Sequence, residues 1–126
     1  MGLTDEALEK AATDAKARSA LLTTRGGAFR DLRNLDEAKA MGLTAHGLTP
    51  KDFRPCTLLG AVYIELGDLI AGREWYVKAE KLGADRHAID QDLRALLSRT
   101  SRSERQRIIE FLIEQDPERF GWLLRK

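Results

Sequence analysis

The chain has 126 residues, of which 43% are hydrophobic and 33% charged, and its formal net charge is +1. This balance excludes a disordered tail and gives no overall attraction to nucleic acid or anionic lipid. The single cysteine, Cys56, excludes an internal disulfide. The single cysteine and the lack of a secretory signal predict a cytoplasmic protein. The lack of a long apolar run predicts that it has no membrane span.

The first predicted element is a helix over residues 4–17, with Thr4 as its N-cap and two acidic residues in its first turn. No glycine or proline separates it from the next helical segment, so the two can run on as one helix to Leu32. Two interpretations of this segment stay open. It is either a native capping helix or the remnant of a hairpin in a chain cut from a longer protein.

Residues 19–52 and 53–86 repeat each other at an offset of 34 positions. Asn and Asp at matched places favour helix N-caps, and small residues seven apart lie on one helix face, where they allow close packing. The aligned pairs are Gly26 with Gly60, Phe29 with Tyr63, Asn34 with Asp68, Ala38 with Gly72, and Ala45 with Ala79.

The second unit resembles the tetratricopeptide repeat, whose pattern is W-x2-L-G-x2-Y followed by A-x3-F and a closing proline. Cys56 replaces the tryptophan and Ala84 the proline, while the first unit departs from the pattern at Arg25 and Gly42. The resemblance implies an all-α fold, a right-handed stack of antiparallel helical hairpins with about seven or eight helices. Its matching residues in the second unit are Leu59, Gly60, Tyr63, Gly67, Gly72, Tyr76 and Ala79.

Beyond the second unit the signature fades although helical patterns persist. Asp85 and Ser101 are predicted N-caps, which makes 87–116 a degenerate third repeat. Pro117 then favours the first turn of a terminal capping helix over 117–126, as the end of a stack requires.

The resemblance implies that the first helix of each hairpin lines a concave surface, which binds a peptide or helix of another protein. Some family members grip a C-terminal carboxylate there with Lys and Asn, but the matching places here hold Thr23 and Gly27, so that clamp is not expected. A role as a scaffold between domains stays open. The residues placed on the surface are Thr23, Gly27, Arg30, Thr57, Ala61, Ile64, Glu65, Gln91, Ala95 and Ser98.

Two other functions compete with peptide binding. Nucleic-acid binding would use a local basic patch on the third repeat, although interleaved acidic residues also fit a solvated helix face. Self-association would use an apolar face left open by an unpaired helix, so the oligomeric state stays undecided. The candidate basic patch consists of Arg94, Arg99, Arg102 and Arg105.

The sequence carries no set of residues typical of catalysis. Cys56 occupies a core position of a repeat, and neither His46 nor His87 has partners at metal-ligand spacing. Gly26 and Gly27 lack the Lys-Ser/Thr ending of a phosphate-binding loop. We therefore expect a protein that is not an enzyme and has no cofactor and no metal.

Overall fold

The computed structural model describes residues 4–124, which form seven α-helices and one 3₁₀ helix and, within that range, no strand. The all-α prediction is confirmed. The helices are α1 (Asp5–Asp31), α2 (Leu35–Leu48), α3 (Phe53–Glu65), α4 (Leu69–Lys81), α5 (Arg86–Arg99), α6 (Arg102–Gln115), α7 (Pro117–Phe120) and the 3₁₀ helix Gly121–Leu124.

Every predicted N-cap residue does what its chemistry suggests. At each cap a side-chain oxygen accepts a hydrogen bond from a backbone N–H two or three residues further on, which satisfies a donor that the helix itself leaves free. The predicted caps are Thr4, Asn34, Asp68, Asp85 and Ser101, and Asp116 before Pro117 caps α7 in the same way. The helix starts were therefore readable from local sequence.

The leading segment (4–17) and the first helix of the first repeat (19–52) form one continuous helix, as the lack of a glycine or proline between them allows. The helix Asp5–Asp31 continues through Gly26 and Gly27 because a glycine in a helix interior lowers stability by only about 1 kcal/mol. Where α2 ends, the Ser19 hydroxyl donates to the Ala45 carbonyl at 3.1 Å. Residues 5–18, here called the N-terminal arm, extend about 20 Å beyond that point.

The 34-residue offset is also present in the backbone of the turns that close the first two hairpins. The Asn34 N–H donates to the Phe29 carbonyl at 2.8 Å, and the aligned Asp68 N–H donates to the Tyr63 carbonyl at 2.9 Å. The residue before each cap has a positive φ, 64° at Arg33 and 90° at Gly67. Glycine adopts that conformation freely, whereas arginine does so at a cost.

The small residues lie in the interfaces between helices, as the repeat predicts. A Cβ atom on Gly60 would lie 2.6 Å from the Tyr76 ring, and one on Gly72 would meet Ile64 and lie 3.0 Å from the Gly60 carbonyl oxygen. Ala79 is fully buried beside them. The α3 and α4 backbones therefore approach each other at a distance that only glycine permits here.

The central helix of the described chain is α3, which contacts α1, α2, α4 and α5. The close backbone approach of α3 and α4 is not repeated between α5 and α6, where larger buried residues such as Leu93 and Leu112 fill the space. The third hairpin is thus degenerate in its packing as well as in its sequence.

Residues 117–124 pack onto the core. Phe120 is buried, and the Arg119 guanidinium contacts Glu80 of α4 at 2.5 Å and Asp90 of α5 at 2.8 Å. The predicted capping helix over 117–126 is shorter, since a 3₁₀ turn follows α7, and residues 125–126 lie outside the described range.

Candidate partner-binding face

The candidate face is formed by α1, α3 and α5, the first helices of the three hairpins. Arg30 of α1 joins them: its Nε donates to Glu65 of α3 at 2.6 Å and its Nη1 to Asp92 of α5 at 3.1 Å. These contacts link residues 35 and 62 positions apart in the chain. The structure therefore brings together the three helices on which the predicted surface residues lie.

We call five of the predicted residues, each at least partly accessible, the open face. Gly27 has empty space where a Cβ would point. The hydroxyl of Thr23 donates to the Ser19 carbonyl and that of Thr57 to the Phe53 carbonyl, so these side chains offer partners no spare donor. The open face consists of Thr23, Gly27 and Thr57, which are half-buried, and Gln91 and Ser98, which are exposed.

For two residues, Ala61 and Ile64, the prediction of a place on the surface is wrong. Ala61 is fully buried and Ile64 is 2% exposed, because α3 is covered by neighbours on nearly all sides. Ile64 fills the space that the missing Gly72 side chain leaves. Neither residue can touch a partner on an open surface. Ala95, by contrast, is exposed.

Arg30 and Glu65 are also less available than the sequence suggested, since they belong to an ion cluster. The Glu65 side chain is 2% exposed and is surrounded by the guanidinium groups of Arg30, Arg33 and Arg99, the last at 3.6 Å. Burial lowers the pKa of Arg30, but the Asp92 and Glu65 carboxylates outweigh it and raise that pKa above its ordinary value. The Arg30–Glu65 ion pair therefore stabilises the packing of α1 against α3.

The candidate basic patch is not one surface. Arg94 and Arg105 line one shallow pocket beside Trp122, where Arg94 stacks over the ring at 4.8 Å and Arg105 donates to the Leu97 carbonyl at 2.8 Å. Arg99 points to a different place, the Glu65 carboxylate. Arg102 is exposed. The four side chains are divided because residues at these spacings leave the two helices in different directions.

A cavity of about 180 Å³ opens where the C-terminal ends of α3 and α5 meet the N-terminal ends of α4 and α6. We call it the edge cavity. Besides apolar residues of the core, the cavity is lined by Arg33, Glu65, Leu66, Arg99, Glu104 and Arg107. Sequence reasoning missed Arg33. The alignment of Arg33 with Gly67 was the one available signal.

Cys56 and His46 lie close enough to be considered as a nucleophile and its base, but the directions of their pKa shifts argue against that role. Cys56 Sγ lies 3.7 Å from His46 Nδ1. Burial raises the pKa of Cys56 and lowers that of His46, the latter with help from Lys78. Both changes favour the neutral thiol and the neutral imidazole, whereas a reactive cysteine needs the thiolate. His46 instead packs edge-on against Trp75, with ring centroids 4.9 Å apart.

Among residues 4–124 there is no cluster of three or more His, Cys, Asp or Glu side chains that could hold a metal ion. No helix in the same range is long and apolar enough to cross a membrane. No family model, curated protein or solved structure matches this chain. The interpretation of its function therefore rests on the residues and geometry described above.

Proposed function

We propose that the chain is a protein-interaction module of the tetratricopeptide class, which binds an extended peptide or a helix of a partner on its open face. The observation that supports this most is the joining of α1, α3 and α5 through Arg30, Glu65 and Asp92. It holds three first helices side by side while leaving Gly27 and Gln91 uncovered. Rigid, small-residue surfaces of this kind suit main-chain and helix contacts.

The ion cluster gives this surface a fixed shape. Breaking a buried ion pair by removing one partner costs about 3–5 kcal/mol, so we expect the three helices to stay together at this point when a partner binds. A preformed surface loses less conformational entropy when a partner docks. The partner then has to follow the existing contour between Thr23 and Gln91.

A selection from a random peptide library on the purified chain tests the proposal. Enriched peptides are expected to lose about tenfold or more in affinity with Gly27→Gln, which places a long side chain on the open face, or with Gln91→Arg, which places a positive charge there. Glu74→Arg, at an exposed position of α4, is the matched control and should keep the affinity within about twofold. Equal binding to all three variants would remove the open face from consideration.

A second candidate function, self-association, is favoured by the N-terminal arm. Leu8 is 51% exposed on a helix face that α2 does not reach, together with exposed Ala11 and Ala12. The arm is acidic at its beginning and basic at its end, so an antiparallel second copy would bring Glu9 near the partner copy's Lys16.

Sedimentation equilibrium over a range of concentrations separates this candidate from a monomer. A dimer should form as concentration rises and should be lost in Leu8→Glu, whereas Thr13→Glu on the opposite side of the arm should leave it intact. A mass that stays that of one chain at every concentration excludes self-association through the arm.

A further inference from the structure

We propose that the edge cavity binds a single oxyanion carried by a partner peptide, either a carboxylate or a phosphate ester. This inference rests on the proposed function, since it assigns a second contact to the same class of partner. The cavity lies on the rim of the structure, at the ends of α3 and α5, away from the middle of the open face. It has room for a tetrahedral or planar anion with some water.

The charges around the cavity are unbalanced. Three guanidinium groups, those of Arg33, Arg99 and Arg107, line it against the carboxylates of Glu65 and Glu104. Glu65 is already engaged by Arg30, which lies outside the cavity. The cavity therefore holds more cationic donors than its own carboxylates satisfy.

Two of the three guanidinium groups, those of Arg99 and Arg107, have donors available for an anion. Arg99 reaches Glu65 through one nitrogen at 3.6 Å, longer than a hydrogen bond, and the Arg107 side chain forms no ion pair with any residue between 4 and 124. Each guanidinium presents five N–H donors in a planar fork that matches carboxylate and phosphate oxygens. Two such forks on neighbouring helices can bind one anion from two sides.

The backbone of Arg33 supplies an independent argument. Arg33 has φ 64° in the turn where the equivalent residue of the next hairpin is glycine. A left-handed conformation costs a non-glycine residue about 1–2 kcal/mol. Glycine would remove that cost, yet the position carries an arginine, and its guanidinium reaches Glu65 at the cavity wall. Backbone strain of this kind is concentrated at sites with a binding role.

The rim of the cavity indicates a peptide rather than a free ion. Leu66, which lines the cavity, is 39% exposed, and Ile70, which follows the lining residue Leu69 in the chain, is 64% exposed. A segment with an acidic or phosphorylated residue beside an apolar one would place its charge among the arginines and its apolar side chain on these residues. Nucleic acid would require a longer continuous row of cations, which the division of the arginines does not provide.

An NMR titration with small anions tests the site without needing the natural partner. Sodium acetate and inorganic phosphate are added separately at constant ionic strength, and the Nε–H signals of the arginines are followed. Saturable shifts are expected at Arg33, Arg99 and Arg107. Arg107→Gln and Arg99→Gln should each weaken binding tenfold or more, whereas Arg102→Gln, an exposed position outside the cavity lining, should change it less than twofold.

The two anions identify the group that the cavity prefers. Tighter binding of acetate supports a carboxylate side chain, and phosphate binding at least tenfold tighter supports a phosphate ester. Shifts that rise linearly and equally on all arginines, Arg102 included, would mean an adventitious ion only and overturn the proposal. Circular dichroism of each variant verifies its fold. The peptide selection on the open face is a separate result, so failure here is distinguishable from failure of the proposed function.

Discussion

Two glycines in helix interiors should respond to alanine in opposite directions. Gly27 and Gly72 both lie in regular helices and neither has a positive φ. A Cβ on Gly27 meets nothing within 4 Å. A Cβ on Gly72 meets the Ile64 side chain and lies 3.0 Å from the Gly60 carbonyl oxygen and 3.1 Å from the Ile64 nitrogen.

The change in the free energy of unfolding is worked out for both variants from two contributions, helix propensity and packing. Alanine in place of a helical glycine adds about 1 kcal/mol of stability through helix propensity, and both variants gain it. Gly72→Ala in addition overfills the interface, at a cost of about 1–3 kcal/mol. Rotation of a side chain cannot relieve a clash with backbone, so we expect the upper end of that range. Gly27→Ala should thus be stabilised by about 1 kcal/mol and Gly72→Ala destabilised by about 2 kcal/mol.

Urea unfolding and thermal melting of the two variants and the parent chain measure the difference directly. At roughly 3–6 °C per kcal/mol for a domain of this size, the two melting temperatures should differ by about 10 °C. Because the propensity gain is common to both variants, their difference isolates the packing of α3 against α4. Equal stability of the two variants, or a more stable Gly72→Ala, would refute the close approach of these helices.

Three further predictions concern buried groups. Cys56 is fully buried, so it should react with a thiol reagent only after unfolding, and rapid modification of the native chain would place it at the surface. The pKa of His46 is lowered in the folded chain, so the unfolded chain gains its proton first and stability should fall as pH drops below about 6.5. His46→Gln should flatten the dependence of melting temperature on pH in that window, and an unchanged dependence would contradict the lowered pKa. Glu65→Gln should lower the free energy of unfolding in urea by about 3 kcal/mol, because it leaves the surrounding arginines without their carboxylate. Glu110→Gln, on the exposed side of α6, is the control and should lower it by less than about 0.5 kcal/mol. Similar values for the two variants would contradict the ion cluster.

The parts of the fold that could be predicted are those that local chemistry decides. Asn34 and Asp68 cap helices because their short side chains reach backbone N–H groups two or three residues on. Gly60 and Gly72 mark an interface because they recur at one offset and share helix faces with other small residues. Neither inference requires knowledge of a residue distant in the chain.

The parts that were missed depend on neighbours contributed by other hairpins. Ile64 fits the pattern of a surface residue until α4 comes close enough, through Gly72, to bury it. The edge cavity depends on Arg33 and Arg107, 74 positions apart in the chain, lining the same space. Residue spacing within one helix carries no information about contacts between distant hairpins. The sequence therefore predicted which helices form the candidate site, but not how its charged side chains are arranged.

The most direct test of the account is a spin label on a peptide from the library selection, with paramagnetic broadening read on the amides of the bound chain. The account predicts broadening of residues on the first helices, Thr57 and Gln91 among them, with Glu74 on the outer side of α4 unaffected. Broadening centred on α4 instead, with Thr57 and Gln91 unchanged, would contradict the claim that the side joined by Arg30 and Glu65 is where this protein meets its partner.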